Sequence, residues 1–141
     1  MISWPVTAGQ YRACRDLIAQ RCGASPANDA HYLVWLQDNE PRYVVGFDNF
    51  AGKTVQLLQA TSHTGPIPRQ FARAVFKYAF DILQKRIVFG VVDSTNERAI
   101  KINQFSGFVE EKRWPGMAKS DGDLILMSLT REQCRWLKEL Q

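Results

Sequence analysis

An α+β fold, a mixed and mostly antiparallel sheet flanked by helices, is predicted by three observations. Three strand-like runs, His31 to Gln37, Tyr43 to Phe47 and Thr54 to Thr61, are separated by short connectors rich in turn residues, the pattern of antiparallel hairpins. A basic, strongly apolar-striped helix then begins at Arg69. Behind it, an apolar run from Ile87 to Val92 leads into a capped helix that stops at Gly107 and gives way to a new strand at Phe108.

Taken in order, Ile2 and Trp4 form a short first strand ending at Pro5. Thr7 and Gln10 make a capping-box pattern, and Tyr11, Cys14, Leu17 and Ile18 repeat at helical spacing, so a helix spans about Ala8 to Arg21. Gly23, Ser25 and Pro26 break it. The hairpin connectors are Asp38-Asn39-Glu40-Pro41 and Asn49 to Lys53. Ser62 to Pro68 is a loop, and Pro68 suits the first helical position, where its missing N–H costs nothing. Phe71, Val75, Tyr78, Ala79 and Ile82 form the buried stripe of the next helix, widened by Phe76, Phe80 and Leu83. Asp93, Ser94, Thr95 and Asn96 offer caps for the following helix, whose inner contacts are Ala99, Ile100 and Ile102. Strands Phe108 to Trp114 and Asp123 to Leu129 flank the linker Pro115 to Gly122. A second capping box, Thr130 with Gln133, starts a final helix with Cys134, Leu137 and Trp136 on its inner side.

The segment from Asn96 to Phe108 resembles the C-terminal half of the GNAT-type acyl-CoA N-acyltransferases, in which Asn-x-x-Ala-(Ile/Leu)-x-Leu-Tyr-x-x-x-Gly-Phe recurs. Asn96, Ala99, Ile100, Ile102, Gly107 and Phe108 match, and Asn103 stands where that family has tyrosine. The order β-α-β-β-β-α-β-α-β-β-α extends the resemblance to nearly the whole chain, as a single domain over residues 1–141 with an added C-terminal helix. The resemblance implies a GNAT-like sheet in α/β/α layers, with a central splayed parallel pair made by Thr54 to Thr61 and Ile87 to Val92. It implies acetyl-CoA as cosubstrate, its pantetheine arm lodged between those strands.

Composition bounds the rest. At 141 residues and 45% hydrophobic content the chain can bury a core without metal or disulfide. No apolar run is long enough to span a membrane, and no basic-then-apolar leader opens the chain, so a cytoplasmic protein without a membrane partner is expected. Cys14, Cys22 and Cys134 have neither disulfide nor zinc spacing, and only His31 and His63 carry imidazoles, so no metal is expected. The net charge is +4. Residues 69–86 carry that same excess, with Arg69, Arg73, Lys77, Lys85 and Arg86 against Asp81. Such a stripe is a solvated face or a seat for the phosphates of coenzyme A, and nucleic acid is the weaker partner class.

Phosphates favour a helix N-terminus, where free N–H groups converge. The loop entering the helix at Arg69 therefore supplies the cofactor candidates His63, Thr64, Gly65, Arg69 and Gln70, with Asn96 as a further hydrogen-bond partner. The family's loop reads (Gln/Arg)-x-x-Gly-x-(Gly/Ala). Here Gly65 keeps its place, Ser62 and Ile67 replace the flanking anchors, and Pro66 removes one donor. The alternative at this loop is a Gly-Pro turn that only redirects the chain. Acetyl transfer needs a proton acceptor, oxyanion donors and a group to protonate the thiolate. The catalytic candidates are Asp93, Ser94 and Asn103, the first two serving equally well as helix caps. The expected reaction moves acetyl from acetyl-CoA to a small-molecule or peptide amine. The rival is a catalytically degenerate GNAT-fold binding or structural module, such as a phage virion-associated or host-interacting protein. Gly107-Phe108-Val109-Glu110-Glu111 is similar to the ending of some small phage-encoded proteins of this order. Edge strands offer pairing of two copies as a homodimer, although no residue demands it.

Overall fold

The computed structural model describes residues 1–5, 7–22, 25–61 and 67–138. They gather into two units, residues 1–51 with 55–75, and residues 52–54 with the chain from Phe76 onward.

The first unit holds β1 (Ile2–Ser3), α1 (Ala8–Cys22), β2 (His31–Gln37), β3 (Glu40–Ala51), most of β4 (Thr54–Thr61) and the start of α2 (Arg69–Lys77). Its strands run in the order β1-β2-β3-β4. The Thr7–Gln10 capping box forms reciprocally, each residue's N–H donating to the other's side chain at 3.1 Å. The β2–β3 turn is the two residues Asp38 and Asn39, at φ 55° and 60°. Left-handed geometry at both positions matches the twist of paired strands, and Asp and Asn tolerate it. β3 extends beyond Tyr43 to Phe47 because its ladder with β2 carries residues 40–42 along.

Cys14 and Ile18 of α1 pack on Tyr32, Val34, Val44, Leu58 and Ala60. Gly46 makes this approach possible, since a Cβ there would lie 3.0 Å from both Ile18 and Tyr32. Phe71 of α2 is buried, with its ring 6.2 Å from those of Trp35 and Tyr43. Those two residues pair across the β2–β3 ladder, so α2 begins anchored to β2 and β3.

In the second unit α2 passes into a π turn (Tyr78–Ile82), closed by Leu83 N–H donating to Tyr78 O at 2.8 Å. The wider turn shifts the phase of the apolar stripe. Ile82, expected inside, is 68% exposed as a result, while Ala79 and Phe80 remain buried.

β5 (Ile87–Asp93), β7 (Leu124–Thr130) and β6 (Val109–Trp114) follow in the spatial order β5-β7-β6, antiparallel throughout. α3 (Glu97–Ser106) is capped by the Asn96 side chain, which accepts from Ala99 N–H at 3.1 Å. It ends at Gly107, φ 111°, whose N–H donates to Asn103 O and Gln104 O. Val88, Met127, Leu129, Phe108 and Cys134 are buried in this unit, and the rings of Phe76 and Phe108 meet edge to face.

The final helix is shorter than expected. The Thr130–Gln133 box forms, with Thr130 N–H donating to Gln133 Oε1 and Gln133 N–H to Thr130 Oγ1. Cys134 then adopts an extended ψ of 112° and the chain makes only a 3-10 turn, Arg135–Leu137. Burial of the Cys134 thiol and a 2.8 Å bond from Trp136 Nε1 to Ser106 Oγ hold that turn in place.

Candidate functional site

Asp93 ends β5, Ser94 begins the turn after it, and Asn96 caps α3 three residues from Asp93, so the strand-to-helix turn brings three predicted residues together. Asp93 Oδ1 accepts from Ser120 Oγ at 2.8 Å, from Thr95 Oγ1 at 2.8 Å and from Thr95 N–H at 2.9 Å. These donors, led by the Ser120 hydroxyl, hold its carboxyl below the ordinary value of 3.8. Ser94 Oγ accepts from Asp123 N–H at 2.8 Å, and Ser94 N–H donates to Asp123 O at the same distance. In that bond the hydroxyl oxygen acts as acceptor, a role that leaves its O–H proton free of the Asp123 contact.

Long-range partners missed in the sequence complete this end of the unit. Arg113 bonds Glu110 at 2.8 Å and Asp123 at 2.9 Å, and Asp123 also accepts from Gly116 N–H. Hydrogen bonds from Arg113 depress both carboxyls, and the two carboxylates raise the guanidinium. The linker of residues 115–122 is thereby tied to the end of β5 through Ser120 and the adjoining Asp123. Gly122 is required there, because a Cβ would come within 2.8 Å of Ser94 Oγ.

One prediction follows from these depressed carboxyls. Asp93, Glu110 and Asp123 bind fewer protons folded than unfolded in the window just below their ordinary values. Their stabilising effect is therefore complete above those values and is lost as pH falls through the lower folded ones. Amide protection factors of residues 116–122, corrected for the pH dependence of intrinsic exchange, will fall on acidification below pH 3.8, and in Asp93→Asn that acid transition will be weaker. An unchanged profile in Asp93→Asn would remove Asp93 from the network.

Asn103 lies apart from that turn. It is 8% exposed, and its Nδ2 donates to Met127 Sδ at 3.7 Å while its carbonyl caps α3 through Gly107 and Phe108 N–H. In the first unit Arg69 and Gln70 are the exposed first residues of α2. Pro68 O accepts from Phe71 and Ala72 N–H, so the N–H groups of Arg69 and Gln70 are the ones that helix geometry leaves for an outside acceptor. His63, Thr64 and Gly65 lie outside the described residues, as does the rest of the 62–66 loop.

Two other features of the first unit were not legible. Asp48 is 4% exposed. Its Oδ2 accepts from Ala27 N–H at 3.0 Å, its Oδ1 has no partner, and burial pushes its carboxyl up. A cavity of about 310 Å³ opens beside Trp4, Cys14, Leu17, Leu36, Pro41 and Val44. Among the described residues lining it none is charged, so it supplies no cation for a phosphate. Among the described residues there is no cluster of three metal-ligating side chains, and no helix is long and apolar enough to cross a membrane.

Neither a protein-family model nor a curated protein sequence matches the chain. Solved structures do. A point mutant of the spermidine N-acetyltransferase SpeG from Vibrio cholerae is similar at TM-score 0.75 and 15% identity, covering 98% of this chain and 98% of that one. Spermidine N-acetyltransferase from Vibrio cholerae in complex with CoA and spermine is similar at TM-score 0.71 and 17% identity, covering 97% and 98%. The fold is therefore the GNAT fold that the sequence resembles, with a mixed, mostly antiparallel sheet.

Proposed function

We propose that the protein is an acetyl-CoA-dependent N-acetyltransferase of the cytoplasm, acting on a small-molecule amine. The likeness in fold to N-acetyltransferases, one of them solved with CoA and spermine, carries this reading. The α2 start, with Arg69, Gln70 and the preceding His63, Thr64 and Gly65, takes the phosphates of the donor. Asn96 supplies a further hydrogen bond. Asp93 acts as an anion that draws a cationic amine. With its pKa lowered it is a weak base, so water takes one proton from the cationic amine to free its lone pair and a second from the nitrogen once the tetrahedral adduct has formed. Ser94 donates a hydrogen bond to the departing thiolate, which takes its proton from water.

The rival is a catalytically silent binding module on the same fold. The burial of Asn103 against Met127, at the position of the family's tyrosine, favours it. Titration calorimetry separates the two. Acetyl-CoA should bind the wild type and bind Gly65→Trp at least roughly tenfold more weakly, and acetylated spermidine should accumulate on turnover. Acetyl-CoA binding without product across a panel of amines would leave the binding module, and no binding at all would remove the donor site.

A further inference from the structure

Strand β6 ends the order β5-β7-β6, and all six of its residues are exposed. Its sequence is a charge palindrome: Val109, Glu110, Glu111, Lys112, Arg113, Trp114 reads apolar, acidic, acidic, basic, basic, apolar. Charges on an edge strand ordinarily repel a second strand. Here an antiparallel copy meets opposite signs at every charged position.

The register shows that side chains would also meet on matching faces. Val109 and Trp114 stand five residues apart and would lie on opposite faces of a regular strand. β6 carries a bulge, however: Glu110 is opposite Met127 and Lys112 opposite Leu126, leaving Glu111 as the extra residue. Val109 and Trp114 consequently face Ser128 and Leu124, on one side of the sheet, and Glu110 and Arg113 face Met127 and Ile125, on the other. Glu111 accepts the Ser128 hydroxyl at 2.6 Å, so it shares the first side with Lys112.

Beside Glu111 and Lys112, that first side also carries an apolar patch where solvent-facing strands are usually polar. Ile87 and Val91 of β5 are exposed, Leu124 and Leu126 of β7 are half-buried, and Val109 and Trp114 are 41% and 39% exposed. Among the described residues, an apolar patch left partly exposed beside a self-complementary edge suits a second copy of the same surface.

We propose that β6 is a homodimer interface, two copies pairing antiparallel about an axis that passes between Glu111 and Lys112. Val109 then meets Trp114, Glu110 meets Arg113, and Glu111 meets Lys112, twice each. Arg113, already bonded to its own Glu110, gains the partner's Glu110. The apolar patch continues from one copy into the other. This inference is independent of any acetyl transfer.

A charge exchange tests it. Wild-type protein at about 100 µM should sediment at twice 16.1 kDa. Lys112→Glu with Arg113→Glu makes the strand all acidic, and Glu110→Lys with Glu111→Lys makes it all basic. Each double variant alone should dimerise about 100-fold more weakly or not at all, and an equimolar mixture should restore a mixed dimer. If circular dichroism shows either double variant unfolded, the single exchanges Lys112→Glu and Glu111→Lys replace them under the same expectation. A monomeric wild type, a dimer indifferent to the exchange, or failure of folded variants to combine would overturn the proposal.

Discussion

Gly107→Ala will unfold at a temperature roughly 10 °C or more below the wild type. Two costs act together. The backbone there has φ 111°, a region that costs a residue with a Cβ about 1–2 kcal/mol. The added carbon would also fall 2.0 Å from the carbonyl oxygen of Gln133, so the 130–134 turn or the end of α3 must shift. The sum is about 3–5 kcal/mol, at the upper end for a single substitution. Gly116→Ala is the control. Its φ of 71° carries similar backbone strain, but nothing lies within 4 Å of the added atom, so about 1 kcal/mol is expected. Scanning calorimetry of the two variants decides it. Equal shifts would show that contact with Gln133 contributes nothing.

Phe71→Ala will cost about 3–5 kcal/mol, because the ring is almost wholly buried against Trp35 and Tyr43 and the space it leaves cannot be filled by a nine-residue helix. On the proposed function, its effect should reach the proposed donor site as well. Phe71 N–H bonds Pro68 O, and the two residues before it carry N–H groups that helix geometry leaves without an intrahelical acceptor. Loosening this anchor blurs their direction, so acetyl-CoA affinity should fall by roughly tenfold at temperatures where the variant is still folded. Phe71→Leu should recover most of both losses. Denaturant unfolding and calorimetry on the same preparations read the two effects, and a destabilised variant with undiminished affinity would separate α2 packing from donor binding.

The parts legible in the sequence were those fixed by neighbours in the chain. The connector Asp38-Asn39-Glu40-Pro41 specified a hairpin, which the structure closes with Asp38 and Asn39 alone, Asn96 and Gly107 specified both ends of α3, and Thr7 with Gln10 specified the start of α1. These depend on backbone geometry over three or four residues, which residue type reports directly. Where the sequence reading fell short, a distant contact decided. The Thr130–Gln133 box formed as written, yet the helix behind it stopped because Cys134 is drawn into the second unit's core. The stripe from Phe71 to Ile82 assumed a constant turn, and the π turn at Tyr78 broke its phase. The candidate site divides the same way. Asp93, Ser94 and Asn96 were found because they bracket a strand-to-helix turn. Ser120, Asp123 and Arg113 were not, since their partners are 10 to 29 residues away and no local pattern signals them.

The placement of the thiols makes the molecule its own gauge of local opening. Cys22 is exposed, whereas Cys14 is buried in the first unit and Cys134 in the second, and desolvation raises both buried thiols, Cys14 to about 11. A maleimide will mark Cys22 at once and must wait for the others. The waiting time at Cys14 clocks the release of α1 from its strands, and that at Cys134 clocks the release of the last turn, one stopwatch for each half of the chain.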